Sequence, residues 1–423
     1  MAHIRQDIWH GLRSGDWLTA ARARAYSLIL LGLCGLALVG WVALSDGLSD
    51  RNGKPIGTDF SSFYAAGSLT LEGRAADAYN VAAHKAREQQ LFGPDTPYYG
   101  WLYPPIFLLV AAPLALLPYP LALAAWQAST LLFYLLIIAA ILRGPRQQVC
   151  AVAQTWLPAA LAFPAVFINL GHGQNGFLTA GLLGGALLTL PQRPILAGIL
   201  FGLLAYKPQF AVVIPFALFA AGRWRTIASA AVTAIVLVGV TWLVFGPDTW
   251  WSFLASTETS RKLLLEQGSV GFEKLQSAFA AIRMWGGGLP TSYFVQGAIS
   301  LAAVLGVVWT WHGSENEKIN AALLIIATLL ASPHVLDYDL ILLAPAIAYF
   351  VASNSTGRFH DYEISLLAAA WIMPLLARTI AGAAAIPLGL MMVLALYGLT
   401  LRRAVLDRQE THALMHLASN PPH

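Results

Sequence analysis

The sequence predicts an all-α polytopic membrane protein, with about twelve transmembrane helices and two structured extracytoplasmic loops. Three observations carry that expectation. Of 423 residues 57% are hydrophobic and only 11% charged, whereas a soluble globular domain carries roughly 25% charged residues. Apolar runs recur from Tyr26 to Leu401, many of them near the roughly 20 residues that cross a bilayer. No succession of alternating apolar and polar strands suggests a barrel. The net charge of +4 therefore concerns orientation rather than nucleic acid, because the basic residues gather at helix ends.

Residues 1–25 carry Arg5, Arg13, Arg22 and Arg24 and read as a cytoplasmic tail. The run Tyr26 to Leu44 exceeds a signal-peptide core and lacks a convincing cleavage site, so it is expected to stay as an anchor opening a membrane domain over 26–402. Residues 46–100 form a first extracytoplasmic loop, too long to lack structure of its own. Asp59 is expected at a helix N-cap, Gly73 at that helix's left-handed stop, and Asn80 at the cap of a second helix ending at Gly93-Pro94. Phe60, Phe63, Tyr64, Tyr98, Tyr99, Trp101 and Tyr103 give the loop the aromatic content of a headgroup layer.

The run from Tyr103-Pro104-Pro105 reaches only Leu117; 121–142 is full length, and 151–169, 176–190, 194–221 and 226–245 follow. Lys207-Pro208 interrupts the 194–221 run, and the backbone groups it frees must face protein or water. Residues 246–290 form a second outer loop with an amphipathic stretch around Ser256 to Arg283. Four runs close the domain, near 293–311, 318–332, 338–352 and 364–401, the last broken near Ala383 to Pro387. The tail 403–423 then returns to the cytoplasm, with Arg402, Arg403 and Arg408 beside the membrane. Simple alternation puts Arg143 and Arg146 outside; a re-entrant pair over 103–118 and two half-helices over 194–221 put them inside, and that arrangement is preferred. Cys34 and Cys150 sit in or beside apolar runs and read as packing residues, with no disulfide framework.

Ionisable groups within or beside spans are functional candidates by default. Asp59 offers a carboxylate able to take a proton from a hydroxyl, against the plainer reading of a helix cap. Gly171-His172-Gly173-Gln174-Asn175-Gly176 is a polar break that lets a ligand approach the backbone, or an ordinary interhelical turn. Lys207 suits a phosphate as a point charge, unless it snorkels to the interface. Ser332-Pro333-His334-Val335-Leu336-Asp337-Tyr338-Asp339 joins an imidazole to two carboxylates for a phosphate or a sugar, metal being the weaker option, while capping accounts for at least one carboxylate. Arg261, Lys262, Lys274, Gln276, Ser277 and Arg283 bring charge and polarity to the second loop, much of it balanced by Glu258, Glu266 and Glu273. A P-loop, a dinucleotide fingerprint, a zinc pattern and a nucleophile elbow are absent, which argues against an ATP-driven machine or a soluble-type hydrolase.

The order of these motifs resembles glycosyltransferase family 87 of the GT-C superfamily. It is carried by Asp59, Tyr103-Pro104-Pro105, Gly173-Gln174-Asn175, Gly198 to Lys207-Pro208, Gln276-Ser277 with Arg283, and Ser332-Pro333-His334 with Asp337-Tyr338-Asp339. The resemblance implies a GT-C fold and an inverting transfer of a hexose, mannose before others, from a polyprenyl phosphate to a lipid or glycolipid hydroxyl. It implies the extracytoplasmic face of the cell (inner) membrane and no cofactor or obligatory metal. Asp59 would be the general base; Lys207, His334 and Arg283 would hold the donor phosphate. Gln174, Asn175, Gln276, Ser277, Asp337, Asp339 and Tyr64 would line the substrate cavity. Leu275 departs from the family, which often has asparagine there. The competing class is a transporter or flippase of a lipid-linked sugar, disfavoured because only one broken helix and no internal repeat are visible.

Overall fold

The computed structural model describes residues 2–143, 156–313, 316–354 and 359–419. Cys150, Arg146 and the start of the run at 151 lie outside them. Among the described residues the chain is helical, with isolated β-bridges as its only extended pairing.

Six helices are long and apolar enough to cross a membrane: α2 (Ala20–Ala43), α6 (Tyr119–Ile141), α12 (Trp224–Phe245), α15 (Leu289–Trp311), α18 (Glu363–Ala384) and the first part of α19 (Leu388–Ser419). Their burial differs with position. In α2 only Ser27 is buried, and in α12 only Thr226 and Thr241, so apolar side chains face outward all round, as in a helix solvated by lipid. Shorter helices fill the middle: α9 (Gly176–Thr189), α16 (Glu317–Ala331) and α17 (Leu343–Ser353), the first two buried along most of their length. The multi-pass membrane character expected from composition thus has a physical layout, with long helices outside and short buried ones within.

One end of this bundle is basic. The N-terminal helix α1 (Ala2–Ser14) is tied to the start of α18 by Arg13–Asp361 at 2.6 Å and by Trp17 Nε1 donating to Ser365 Oγ at 2.8 Å. At the same end Arg403 of α19 pairs with Glu363 at 3.0 Å, Asn316 Nδ2 donates to Asp407 Oδ2 at 2.7 Å, and Arg223 meets Glu317 at 2.9 Å.

The other end carries the two large loops. In the first lie α3 (Thr58–Leu71), α4 (Val81–Phe92) and α5 (Leu108–Leu114). Asn80 caps α4 as expected, its Oδ1 accepting from the amides of Ala82 and Ala83, and Gly73 sits at φ +76° just past α3. Asp59, however, does not cap α3. Gly57 takes that position at φ +71°, a conformation open to glycine, and Asp59 becomes the second helical residue with its side chain free for other partners. The run 103–117 is no span either: α5 has 7 residues and packs on α3, where Tyr64 OH donates to Leu117 O at 2.8 Å.

The 194–221 run is broken where expected, into α10 (Pro194–Leu203), two single 3-10 turns around Lys207-Pro208, and α11 (Ile214–Ala220). The second loop is not one amphipathic helix. Its helix α13 (Pro247–Ser260) runs into a wide turn over Arg261–Glu266, then Gly268 and Gly271 at positive φ reverse the chain before α14 (Ala278–Met284). The break near 383–387 falls at 385–387, between α18 and α19. The helix over 156–162 (α7) leads into α8 (Pro164–His172), which delivers His172 to the looped end.

Candidate functional site

Asp59 stands in the first turn of α3 with its side chain 27% exposed. Its Oδ2 accepts from Gln174 Nε2 at 2.8 Å, and its Oδ1 lies 3.8 Å from His172 Nδ1. The ring nitrogen of His172 is itself 2.7 Å from Thr58 Oγ1. One carboxylate oxygen is therefore fixed, while the other makes no hydrogen bond among the described residues on a side chain that stays partly exposed beside an imidazole, which leaves it able to accept a proton.

The neighbouring chain explains how Gln174 comes to hold it. Helix α8 ends at Gly173 with φ +65°, and a Cβ there would come within 2.5 Å of Phe60 Cβ, so glycine lets this corner press onto α3. Gln174 Oε1 accepts from Tyr103 OH at 3.1 Å and from the Asn175 amide at 2.9 Å. With two donors on its oxygen, the amide must present its nitrogen to Asp59. Behind α3, Ser62 Oγ lies 3.2 Å from His84 Nε2, and His84 lies 3.6 Å from Glu88, both fully buried on α4. Burial pushes the Glu88 carboxyl up, and Glu88 accepts from the Tyr99 amide at 3.0 Å, which locks the segment carrying Tyr103 to the back of α3.

A second set of contacts surrounds Lys207. The chain break at Lys207-Pro208 turns the ammonium inward, where it donates to Asp339 Oδ1 at 2.6 Å and to Asn175 Oδ1 at 3.0 Å. The rings of Phe210 and Tyr338 each lie 5.2 Å from it. The pair is sealed, with side chains 3% and 1% exposed. Asp339 Oδ2 accepts from the Leu336 amide at 3.0 Å and so caps the turn over Asp337–Leu342. Asp59, Gln174, Asn175, Lys207 and Asp339 thus form one connected polar string from α3 to that turn.

His334 lies in the loop between α16 and this turn, within electrostatic reach of Asp339 and Lys207. Its amide donates to Ser332 Oγ at 3.2 Å; its imidazole is half-buried and has no hydrogen bond among the described residues. The loop is held from outside: Leu275 pairs with Leu336 in an antiparallel bridge, and the Gln276 amide donates to Val335 O at 2.7 Å. Leu275 is buried with Leu265, Phe279 and Ala280 in a small apolar cluster against Leu336, which gives the departure from asparagine a packing role.

Other nominated residues are engaged elsewhere. Tyr64 holds α5, and Ser277 caps α14 by accepting from the Ala280 amide at 3.2 Å. Arg283 donates to Gly287 O at 2.8 Å and Glu266 O at 3.3 Å and lies over the Phe272 ring. Asp337 stays at the site: its Oδ1 accepts from the Tyr338 amide at 2.9 Å, and its Oδ2 lies 4.0 Å from Arg378 of α18. Arg378 escaped the sequence reading although the signal was there, an arginine inside an apolar run four residues after Pro374. No three His, Cys, Asp or Glu side chains form a metal-ligating cluster among the described residues.

A membrane bundle whose looped end presents an oriented, partly exposed carboxylate beside an imidazole defines a membrane protein with the means for group transfer at a hydroxyl. Residues 101–333, more than half of the chain, match glycosyltransferase family 87. The chain belongs to that family and is a membrane glycosyltransferase, as its order of motifs implied. It is similar to the polyprenol-phosphate-mannose-dependent alpha-(1-2)-phosphatidylinositol pentamannoside mannosyltransferase of Mycolicibacterium smegmatis, with 26% identity over 313 residues, 72% of this chain and 70% of the other. No solved structure matches it.

Proposed function

We propose that this glycosyltransferase moves a hexose, mannose first among candidates, from a polyprenyl phosphate to a hydroxyl of a lipid or glycolipid acceptor, with inversion and on the extracytoplasmic face. The observation that carries the reading is the Asp59 carboxylate, held by Gln174 at 2.8 Å and left open on its other oxygen. The printed name of the mycobacterial relative supports the donor class and a glycolipid acceptor.

In this mechanism Asp59 Oδ1 takes the acceptor hydroxyl proton as that oxygen attacks the anomeric carbon. The bond from that carbon to the phosphate oxygen breaks, and its electron pair leaves with the polyprenyl phosphate. His334, whose imidazole is otherwise unpaired among the described residues, donates to the departing phosphate. Lys207 acts one step back, since its ammonium already serves Asp339 and Asn175. Tyr64, Gln276, Ser277 and Arg283 brace the walls through the contacts described above. The arginines gathered at the opposite end favour a cytoplasmic location there, which turns the site outward. With α10 and α11 counted as half-helices, the chain makes about twelve traverses of the cell membrane.

The test is transfer in nanodiscs from radiolabelled polyprenyl-phosphate sugars into a total lipid extract, with Asp59→Asn beside the wild type. Wild-type transfer is expected, with the variant about 10²- to 10⁴-fold slower and donor binding kept. Label that stays on the donor for every sugar and lipid pool, while flux assays move it across the membrane, would replace this reading with the transporter.

A further inference from the structure

Lys207 and Arg283, the two cations implied as phosphate ligands, are already engaged, and a less conspicuous one is not. Lys207 is sealed against Asp339, and the terminal nitrogens of Arg283 are taken by backbone carbonyls. Arg378 is different. Its side chain is 48% exposed, it makes no hydrogen bond among the described residues, and its nearest carboxylate, on Asp337, lies 4.0 Å away, beyond hydrogen-bond length. It sits in the apolar run of a membrane helix whose one other charge, Glu363, lies at the opposite end paired with Arg403, and a charge there is retained for a reason. That helix, α18, packs against the three segments that build this side of the site: α8 with His172, the turn with Lys274, and the turn with Asp337. Asp337 in turn lies within electrostatic reach of His172, Arg378 and Lys274. Asp59 lies 3.8 Å from His172 at the end of α8, and Arg378 lies 4.0 Å from Asp337 on a helix packed against α8, so the base and the open guanidinium border the same site without touching.

We infer that Arg378 binds the phosphate of the lipid-linked donor, with Asp337 holding its place until the donor arrives. The assignment rests on the transferase reading and adds a residue that lies beyond the matched family segment. A guanidinium presents paired N–H donors to two phosphate oxygens, which a sealed ammonium cannot do. The phosphate of an inverting transfer leaves from the sugar face opposite the attacking oxygen, so its ligand must be a cation apart from the base, and Arg378 is paired with Asp337 rather than with Asp59.

The test uses the full chain in nanodiscs and measures direct binding of polyprenyl phosphate without sugar, of polyprenol, and of phosphatidylinositol. The wild type is expected to prefer polyprenyl phosphate to polyprenol by about ten-fold or more. Arg378→Gln should erase that preference, Arg378→Lys should retain part of it, and Asp337→Asn should tighten phosphate binding. In turnover, Arg378→Gln should raise the donor KM by about ten-fold, lower kcat because the leaving phosphate gains charge in the transition state, and leave the acceptor KM near wild type. Unchanged polyprenyl phosphate binding in Arg378→Gln overturns the assignment, and so does a loss confined to phosphatidylinositol, which would make Arg378 an acceptor contact. Binding needs no turnover. A wild type that binds but never transfers would defeat the proposed function while the binding arm still decides Arg378.

Discussion

Two cation–carboxylate pairs meet at one short turn, and they are built in opposite ways. Asp339 and Lys207 touch at 2.6 Å with side chains 1% and 3% exposed, whereas Asp337 and Arg378 stand 4.0 Å apart with side chains 5% and 48% exposed. Every charged atom of the first pair has a close partner, because Lys207 also reaches Asn175 and Asp339 also caps the turn. The second pair leaves the cation without a hydrogen bond among the described residues. A closed pair organises a site, since exchanging one of its partners for a ligand means leaving a charge buried. An open pair can exchange. Both sides are therefore expected to matter for transfer, the sealed pair through folding and the loose one through binding.

The largest effect should come from breaking the sealed pair from one side. Lys207→Met leaves the Asp339 carboxylate buried and unpaired, a loss of about 3–5 kcal/mol, read as a lower Tm in detergent. Adding Asp339→Leu removes the stranded charge and should recover most of that stability. The double variant separates two roles. If Lys207 acts only by neutralising the buried Asp339 carboxylate, recovery of the fold brings the donor KM back toward wild type; if it binds the phosphate itself, stability returns and the donor KM stays raised.

Next in size is Asn175→Ala, which takes one of two hydrogen bonds from the buried ammonium and should cost about 1.5–3 kcal/mol. A smaller effect is expected from Ser277→Ala. That change removes only the cap of α14, about 1 kcal/mol, and should leave the donor KM alone. A raised donor KM in Ser277→Ala would show that the second loop touches substrate rather than bracing the His334 loop.

How much of this was legible in the sequence depends on the scale of the signal. Composition and long apolar runs reveal a bundle because lipid solvation acts on every residue of a span, and breaks at Lys207-Pro208 and 385–387 show because proline and chain polarity mark them locally. The cap of α4 at Asn80 was legible for the same reason. Asp59 was found as a residue but misplaced as a cap, since only the backbone at Gly57 decides which residue turns the chain into α3. The partners of Lys207 were beyond reach. Asn175 and Asp339 are 32 and 132 residues away, and no local pattern records which distant carboxylate a buried ammonium selects. The resemblance implied Arg283 as a phosphate ligand, yet its terminal nitrogens are taken by the carbonyls of Glu266 and Gly287. Arg378 is likewise an arginine inside an apolar run, but nothing local in 364–401 distinguishes an open cation from an engaged one.

The smallest stability effect belongs to the loose pair, and it makes the sharpest test of the contrast. An ion pair as exposed as Arg378–Asp337 contributes about 0–1 kcal/mol, because water screens the cation and no hydrogen bond orients it. Arg378→Gln should therefore unfold within a few degrees of the wild type while losing its preference for polyprenyl phosphate, the reverse of the paired change at Lys207 and Asp339. The two variants together separate fold from recognition around a single turn. Should Arg378→Gln prove as destabilising as Lys207→Met, the guanidinium would be acting as a strut between α18 and the turn. The exposed cation would then owe its place to helix packing, and recognition of the phosphate would fall to His334 and Lys274.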